Sequence, residues 1–368
     1  MTLGKKSFRF RVCMITTCYL PEYSGAAKQC HALSLELKKN NCSISILTFT
    51  NDKALPPKDC IEGIDIYRIY VGQNRFSGLK TAFILFQHLI RNFKDSSIIH
   101  FHGFNNHLLW IIWMKWFLKK KIILKISMQD NDSVDRMMNK SFLYKRVYEN
   151  LDGIIAITSN MFNEFKKYPI IQRKGFFIPN GVDTISFKPA SKKDKEIIRK
   201  KMGIKGRNKI ILFSGIINKR KGIDILFNAW ELMRTKLGDL CPSIILIGPF
   251  ESDIWDINKN EDYYKNYTYD MIEKYPKKIY YFGMREDVSM FYQLSDYFIL
   301  PSRKEGLPNS LIEALASGLT TIISNIPGTS TFIQDGINGI ILKNNNDKEL
   351  SEILIDLTKN CRANDRIQ

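Results

Sequence analysis

A chain of 368 residues is too long for one average core and fits two domains, and 44% apolar with 25% charged residues is a soluble globular composition. The formal net charge of +18 is uneven: residues 1–180 hold 27 Lys+Arg against 13 Asp+Glu, and residues 181–368 hold 28 against 24. The basic first half expects an acidic partner, an anionic membrane surface, an anionic substrate or nucleic acid, and the membrane suits it better than nucleic acid, since no zinc spacing, stacking module or helix-turn-helix accompanies the charge. The seven cysteines (13, 18, 30, 42, 60, 241, 361) are odd in number and lack a Cys-x-x-Cys pair. They are expected to be free thiols in a reducing cytoplasm. No apolar run approaches the ~20 residues that span a bilayer.

Lys5, Lys6, Arg9 and Arg11 precede the short apolar run 12–20, as in an export signal. Thr16, Thr17 and the following Pro-Glu-Tyr-Ser-Gly fit a first strand (8–17) and its glycine loop better. In that loop Ser24-Gly25 lets backbone approach a ligand, because Gly25 has no side chain. Residues 26–38 repeat apolar positions at helical spacing, with Lys38 and Lys39 at the end, and 43–49 is the next strand. Strand, glycine loop, helix and strand in that order begin a doubly wound parallel sheet. A helix is expected over 79–93 and a strand over 97–101, leading into His100-Phe101-His102-Gly103. Alternation puts both histidines on one face at the carboxyl end, where open α/β sheets bind ligands. His102 is the candidate to touch substrate; neither histidine has metal-ligand company, so no metal is expected.

Residues 108–118 carry Trp110, Trp113 and Trp116 beside Lys115 and Lys119-Lys120-Lys121. That is the composition of an interfacial helix, and equally of a buried helix with a solvated end. Strands are expected over 121–127 and 151–158. Pro179-Asn180-Gly181 are turn formers ahead of the charged run 191–201, which sets the domain boundary near 180, giving domains 1–180 and 181–368. Alternation restarts with a strand over 210–213, the loop 214–222 and a helix over 223–237, then strands over 244–247 and 278–282. Asp296-Tyr-Phe-Ile-Leu300 is a short buried strand. Leu311, Ile312, Leu315 and Ala316 then recur at helical spacing, with Gly318 as the stop. The loop between feeds a helix amino terminus, whose unpaired N–H groups make an anion site. Glu305 and Glu313 flank it. Carboxylates do not bind phosphate, but they accept hydrogen bonds from sugar hydroxyls, so the local chemistry points to a sugar nucleotide.

Glu305-Gly306-Leu307-Pro308-Asn309, then Glu313, Ala314 and Gly318, with seven residues between the glutamates, resemble the donor-site signature of retaining glycosyltransferase family 4. The resemblance covers most of the chain. It implies a GT-B architecture, an α/β chain of two Rossmann-like domains facing across a cleft, with acceptor on the first and sugar nucleotide on the second. It also implies transfer, with retention, from a nucleotide-diphosphate sugar to a glycan or lipid-linked acceptor in cell-surface polysaccharide or lipopolysaccharide synthesis, without metal or other cofactor. By resemblance Glu313 holds ribose hydroxyls and Glu305 a donor-sugar hydroxyl. Lys221, with Arg220 and the backbone amides around the loop Gly306, Leu307, Pro308 and Asn309, in which Pro308 itself has no N–H, would neutralise the leaving diphosphate. Gly215, Lys221 and Gly222 match the family's phosphate loop, but Ile216 stands at its usual arginine. Ser24 replaces the first of two usual glycines beside Gly25. Where relatives carry an acceptor-side histidine, Asp130 or Asp132 stands here. Phe187 and Pro189 follow the linker in their usual places, Gly283 begins the turn that meets the nucleobase in relatives, and 336–342 fits a closing segment. A final helix crossing back to the first domain is expected to be missing or shortened. An enzyme so read would be cytoplasmic and peripheral on the inner membrane face. The alternatives are a sugar-nucleotide epimerase, a phosphorylase-like enzyme, or a transfer-inactive basic binding protein.

Overall fold

A computed structural model describes residues 9–22, 24–71, 77–103, 108, 115, 119–127, 133–204, 206, 208–250 and 261–359. The chain divides into two compact units, Met1–Gly181 and Val182–Gln368.

The first unit is an eight-stranded sheet in the order β3-β4-β2-β1-β5-β6-β7-β8. Its strands are β1 Phe10–Thr16, β2 Cys42–Thr50, β3 Lys58–Ile61, β4 Ile64–Tyr70, β5 Ile98–His102, β6 Lys121–Ile126, β7 Gly153–Ala156 and β8 Gly175–Phe177. All neighbours are parallel except β3 and β4, an antiparallel hairpin absent from the sequence expectation. Its signal was present: Glu62-Gly63 turn the hairpin at φ 49° and 70°, the left-handed pair that tight hairpins need. The helices are α1 Gly25–Lys39, α2 Ser77–Arg91, α3 Val134–Lys140, α4 Phe142–Asn150, α5 Ser159–Phe165 and α6 Pro169–Gln172.

Helix α1 starts at Ser24, whose hydroxyl caps the Ala27 N–H at 3.3 Å. Partners in a parallel ladder point to the same face, so the register sorts the sheet into rows. The lower rows, with Val12, Ile44 and Ile64, then Met14, Ile46 and Ile66, form the apolar core with Ala27 and Cys30 of α1. The next row, at the carboxyl ends, is polar: Arg68, Thr48, Thr16, His102 and Lys125.

The second unit is a six-stranded, all-parallel sheet in the order β11-β10-β9-β12-β13-β14. Its strands are β9 Ile210–Ser214, β10 Ser243–Ile247, β11 Ile279–Tyr281, β12 Tyr297–Leu300, β13 Thr320–Ser324 and β14 Ile340–Leu342. Its helices are α7 Lys192–Lys201, α8 Ile223–Leu237, α9 Glu261–Lys274, α10 Val288–Leu294, α11 Asn309–Ala316 and α12 Asp347–Lys359. These strands are buried throughout, as continuous apolar runs in a sheet covered on both faces should be. Trp230 fills the core under α8 and donates its indole N–H to the Pro242 carbonyl at 2.7 Å. Asp296, ahead of β12, accepts from Arg199 at 2.8 Å and from the Ile210 N–H at 2.9 Å, docking α7 to the sheet.

Both sheets reverse winding direction once. The chain winds outward one way from β1 and the other way from β5, and likewise from β9 and β12. Such switch points leave a crevice at the carboxyl ends.

The Lys119–Lys121 run is not uniformly exposed as expected. Lys120 is buried, and its ammonium donates to the carbonyls of Phe93 and Lys94 at 2.8 Å and of Ser96 at 2.6 Å. It ties the segment after α2 to the start of β6. Lys120→Met should therefore lower unfolding free energy by about 3 kcal/mol, because the carbonyls lose a charged donor; chemical denaturation of the two proteins measures this.

Candidate functional site

In the second unit two loops meet at the β9/β12 switch point: residues 215–222, leading into α8, and residues 301–308, leading into α11. Gly222 caps α8 at φ 76°, and a Cβ there would lie 2.0 Å from the Pro301 carbonyl oxygen, so the loops approach as only glycine allows. Arg303 clamps them. Its N–H donates to the Arg220 carbonyl at 2.7 Å, and its guanidinium grips Asp224, in the first turn of α8, with two bonds of 2.8 and 2.7 Å.

Between the loops lies Glu305, its side chain 9% exposed. Three donors converge on its Oε1: Lys221 Nζ at 2.5 Å, Arg220 Nη1 at 3.1 Å and the Ser302 hydroxyl at 3.2 Å. Beyond it begins α11, whose cap residue Pro308 offers no side-chain bond to the first-turn amides. Glu313, a turn into α11, accepts from the buried Tyr292 hydroxyl at 2.7 Å on Oε2. Tyr292 is packed edge-on by Phe187, so the carboxylate is oriented by a hydrophobic anchor. Gly283 closes the same rim, accepting from the Gly248 N–H at 2.9 Å.

In the first unit the switch point lies between β1 and β5, whose carboxyl ends carry Thr16 and His102. His100 and His102 share a face as alternation requires, their ring centroids 4.4 Å apart. Both are buried. Burial first, then the neighbouring Lys125, pushes His100 down to about 3; burial, then His100 and Lys125, holds His102 well below the usual range. Both rings are neutral at pH 7. Four buried polar atoms, Thr16 Oγ1, Thr48 Oγ1 and His102 Nε2 in the polar row and His100 Nε2 one row below it, have no hydrogen-bond partner among the described residues. Lys125, nine-tenths buried, is pushed down from 10.5 to about 8 by burial. Unpaired buried groups are costly and rare, so this cluster singles out the carboxyl end of the sheet at the switch point.

The family described as Glycosyltransferase Family 4 matches residues 23–185, and that described as Glycosyl transferases group 1 matches residues 194–368. Together they cover nearly the whole sequence. The chain belongs to this glycosyltransferase family. Its two parallel-sheet units are those of the GT-B fold: the Anabaena protein HepE, solved with UDP-glucose, aligns over 97% of this chain and 92% of its own at TM-score 0.74 and 15% identity. An Escherichia coli UDP-Gal:alpha-D-GlcNAc-diphosphoundecaprenol alpha-1,3-galactosyltransferase is 28% identical over 50% of this chain and 48% of its own length. The Streptococcus pneumoniae alpha-monoglucosyldiacylglycerol synthase is 23% identical over 90% of this chain and 75% of its own. This chain thus spans about half the length of the first of these relatives.

Within this glycosyltransferase, Lys221, Arg220, Glu305, Gly306, Leu307, Pro308, Asn309 and Glu313 fall on one rim of the second unit. Ser24, Gly25 and His102 belong to the first. Asp130 and the three tryptophans lie outside the described residues. Sequence reasoning missed Ser302, Arg303, Tyr292 and Lys125. Ser302 and Arg303 sit inside the recognised motif, but their partners lie across the fold; Lys125 needed the β5–β6 register.

Lys125 yields a test of the polar rim. Its folded-state pKa lies below the unfolded value, so the folded state sheds the proton first. Stability from this site rises with pH between about 8 and 10.5, and below about 8 the full burial penalty applies. Lys125→Met should stabilise the protein at pH 7 by on the order of 1–3 kcal/mol and leave it unchanged near pH 11. Thermal unfolding across pH checks this, and destabilisation at pH 7 would mean that the ammonium is paired.

Proposed function

We propose that the chain is a retaining glycosyltransferase, moving a hexosyl group from a nucleoside-diphosphate sugar to a hydroxyl of a lipid-linked or polysaccharide acceptor. One observation carries the reading: a buried carboxylate, Glu305, bound by Lys221 and Arg220 at a switch point, directly before a helix amino terminus. Such an arrangement suits a diphosphate, met by cations and backbone N–H groups, beside an acceptor for sugar hydroxyls, which supports the reading. HepE was solved with UDP-glucose, the E. coli relative is named for a diphosphoundecaprenol acceptor and the pneumococcal one for a diacylglycerol product, which supports a nucleotide donor and a lipid-linked acceptor.

In this reading Lys221 and Arg220 exchange part of their contact with Glu305 for the donor diphosphate. Negative charge then grows on the leaving phosphate where donors are already aimed, usually the largest single catalytic contribution. Ile216 brings no charge, so Arg220 and Lys221 take the work of the family's usual arginine. Glu305 orients the sugar, and Glu313, steadied by Tyr292, binds the ribose hydroxyls. The acceptor attacks from the face the phosphate leaves, and the phosphate takes its proton; retention follows without an enzyme nucleophile. The first unit's neutral histidines suit recognition of hydroxyls. No helix among the described residues is long and apolar enough to cross a membrane, so a lipid-linked acceptor would be met by peripheral attachment.

Glu313→Ala should weaken nucleoside-diphosphate binding roughly ten- to a hundredfold, because two hydroxyls lose a charged acceptor worth about 1.5–3 kcal/mol. Glu305→Gln should leave that binding within a few-fold and lower kcat. Calorimetry with UDP and a transfer assay separate the two roles; equal loss of UDP affinity in both variants would reject the assignment of Glu305 to the sugar. Donor consumption without any acceptor would favour an epimerase.

No cofactor enters this mechanism. Activity is expected to survive EDTA, and activity lost to EDTA and restored by a divalent ion would overturn the metal-free reading.

A further inference from the structure

The amino end of β6 lies about 13 Å down the strand from Lys125, on the rim opposite the polar row. There a groove of about 450 Å³ is lined by Lys115, Lys119, Lys120, Lys121 and Asn150. Its lysines have different duties. Lys120 is spent on three backbone carbonyls, and Asn150 ties its amide back to the Arg146 carbonyl at 2.8 Å. Lys115 donates to the Asn150 carbonyl and pairs with Asp152, each at 2.7 Å. Lys121, its side chain 73% exposed, shares that same Asp152 at 3.2 Å. The Lys119 ammonium has no partner among the described residues. Behind the groove Lys174 donates to the Glu149 and Leu151 carbonyls, and burial followed by repulsion from Lys115 pushes its pKa down. Lys115 and Lys121 share Asp152, while Glu149 and Asp95 act on Lys174 and Lys120, so five ammonium groups, Lys119 included, meet three carboxylates, and Lys115 and Lys174 repel one another.

The backbone adds a second observation. Lys119 donates its N–H to the Lys115 carbonyl at 2.9 Å and sits at φ 48°. That left-handed conformation is cheapest for glycine and tolerable for asparagine. A lysine there lines the groove at a conformational cost, its ammonium without a partner among the described residues. Compact, flexible ammonium groups suit an anion approached from several directions, and a volume of this size admits a small ligand.

We propose that this groove is a binding site for a phosphate-bearing anion, with Lys119 and Lys121 as its ammonium donors. The phosphate could belong to a lipid headgroup, which extends the peripheral reading above, or to a soluble phosphate or diphosphate; the chemistry is shared.

The test is the Lys119→Gly/Lys121→Gln pair. Glycine suits φ 48°, so thermal stability should hold. Calorimetry with inorganic pyrophosphate on the full chain should find sites that this pair removes and that Lys221→Ala, in the donor platform, leaves in place. Flotation with phosphatidylglycerol-containing vesicles against pure phosphatidylcholine should show binding to the former alone, weakened roughly tenfold or more by the pair. Loss in both arms, or in flotation alone, supports a lipid headgroup, and loss in calorimetry alone supports a soluble phosphate. Unchanged behaviour of the pair in both arms overturns the proposal. UDP affinity should be unaltered throughout, so failure here is distinguishable from failure of the donor-site reading.

Discussion

The Glu305 carboxylate is the joint on which the second unit's rim depends. A carboxylate at 9% exposure is tolerable only with charge opposite it, and Lys221 and Arg220 supply that charge from the neighbouring loop. The reverse also holds, since both cations would be costly beneath the rim without Glu305. This mutual need fixes the loops at residues 215–222 and 301–308 against each other. It explains why the close approach at Gly222 is kept, and why Arg303 adds a second clamp onto Asp224. Neither loop has its shape alone.

Such a joint has a chemical consequence. Cations held by a carboxylate are already oriented and partly stripped of water, so little reorganisation remains when a stronger anion arrives. The same carboxylate competes with that anion. An exchangeable arrangement binds more weakly than bare cations would, but it places each group before reaction begins.

Much of this rim was legible from residue order, because Glu305, Glu313 and the helix start that follows Pro308 lie within one stretch. Lys221, some 84 residues earlier, came into view only through its glycine neighbours. The parts that were not legible are those made by the fold. Tyr292 meets Glu313 because α10 packs beside α11, and no periodicity announces that. Likewise Thr16, Thr48, His102 and Lys125 form a row only through strand register. A single-residue slip would have turned each of them to the other face.

Counting charges along a sequence also misleads about what a partner meets. Of the first unit's basic excess, Arg68 is buried among the carbonyls of Leu20 and Pro56 with Asp59, Lys120 is closed onto three carbonyls, Lys174 onto two, and Lys125 lies under the rim. Arg68, Lys120 and Lys174 tie loops down through carbonyls, Lys125 carries a burial penalty, and little of their charge is displayed to water. Long-range attraction depends on exposed charge within roughly a Debye length of about 8 Å, so the electrostatics this unit offers are narrower than its net charge suggests. They concentrate where ammonium groups outnumber carboxylates at the surface. The groove beside Lys119 and Lys121 is such a place. The Glu305 joint differs from it in burial, because there two cations share a carboxylate at 9% exposure, whereas Lys119 and Lys121 stand at the surface.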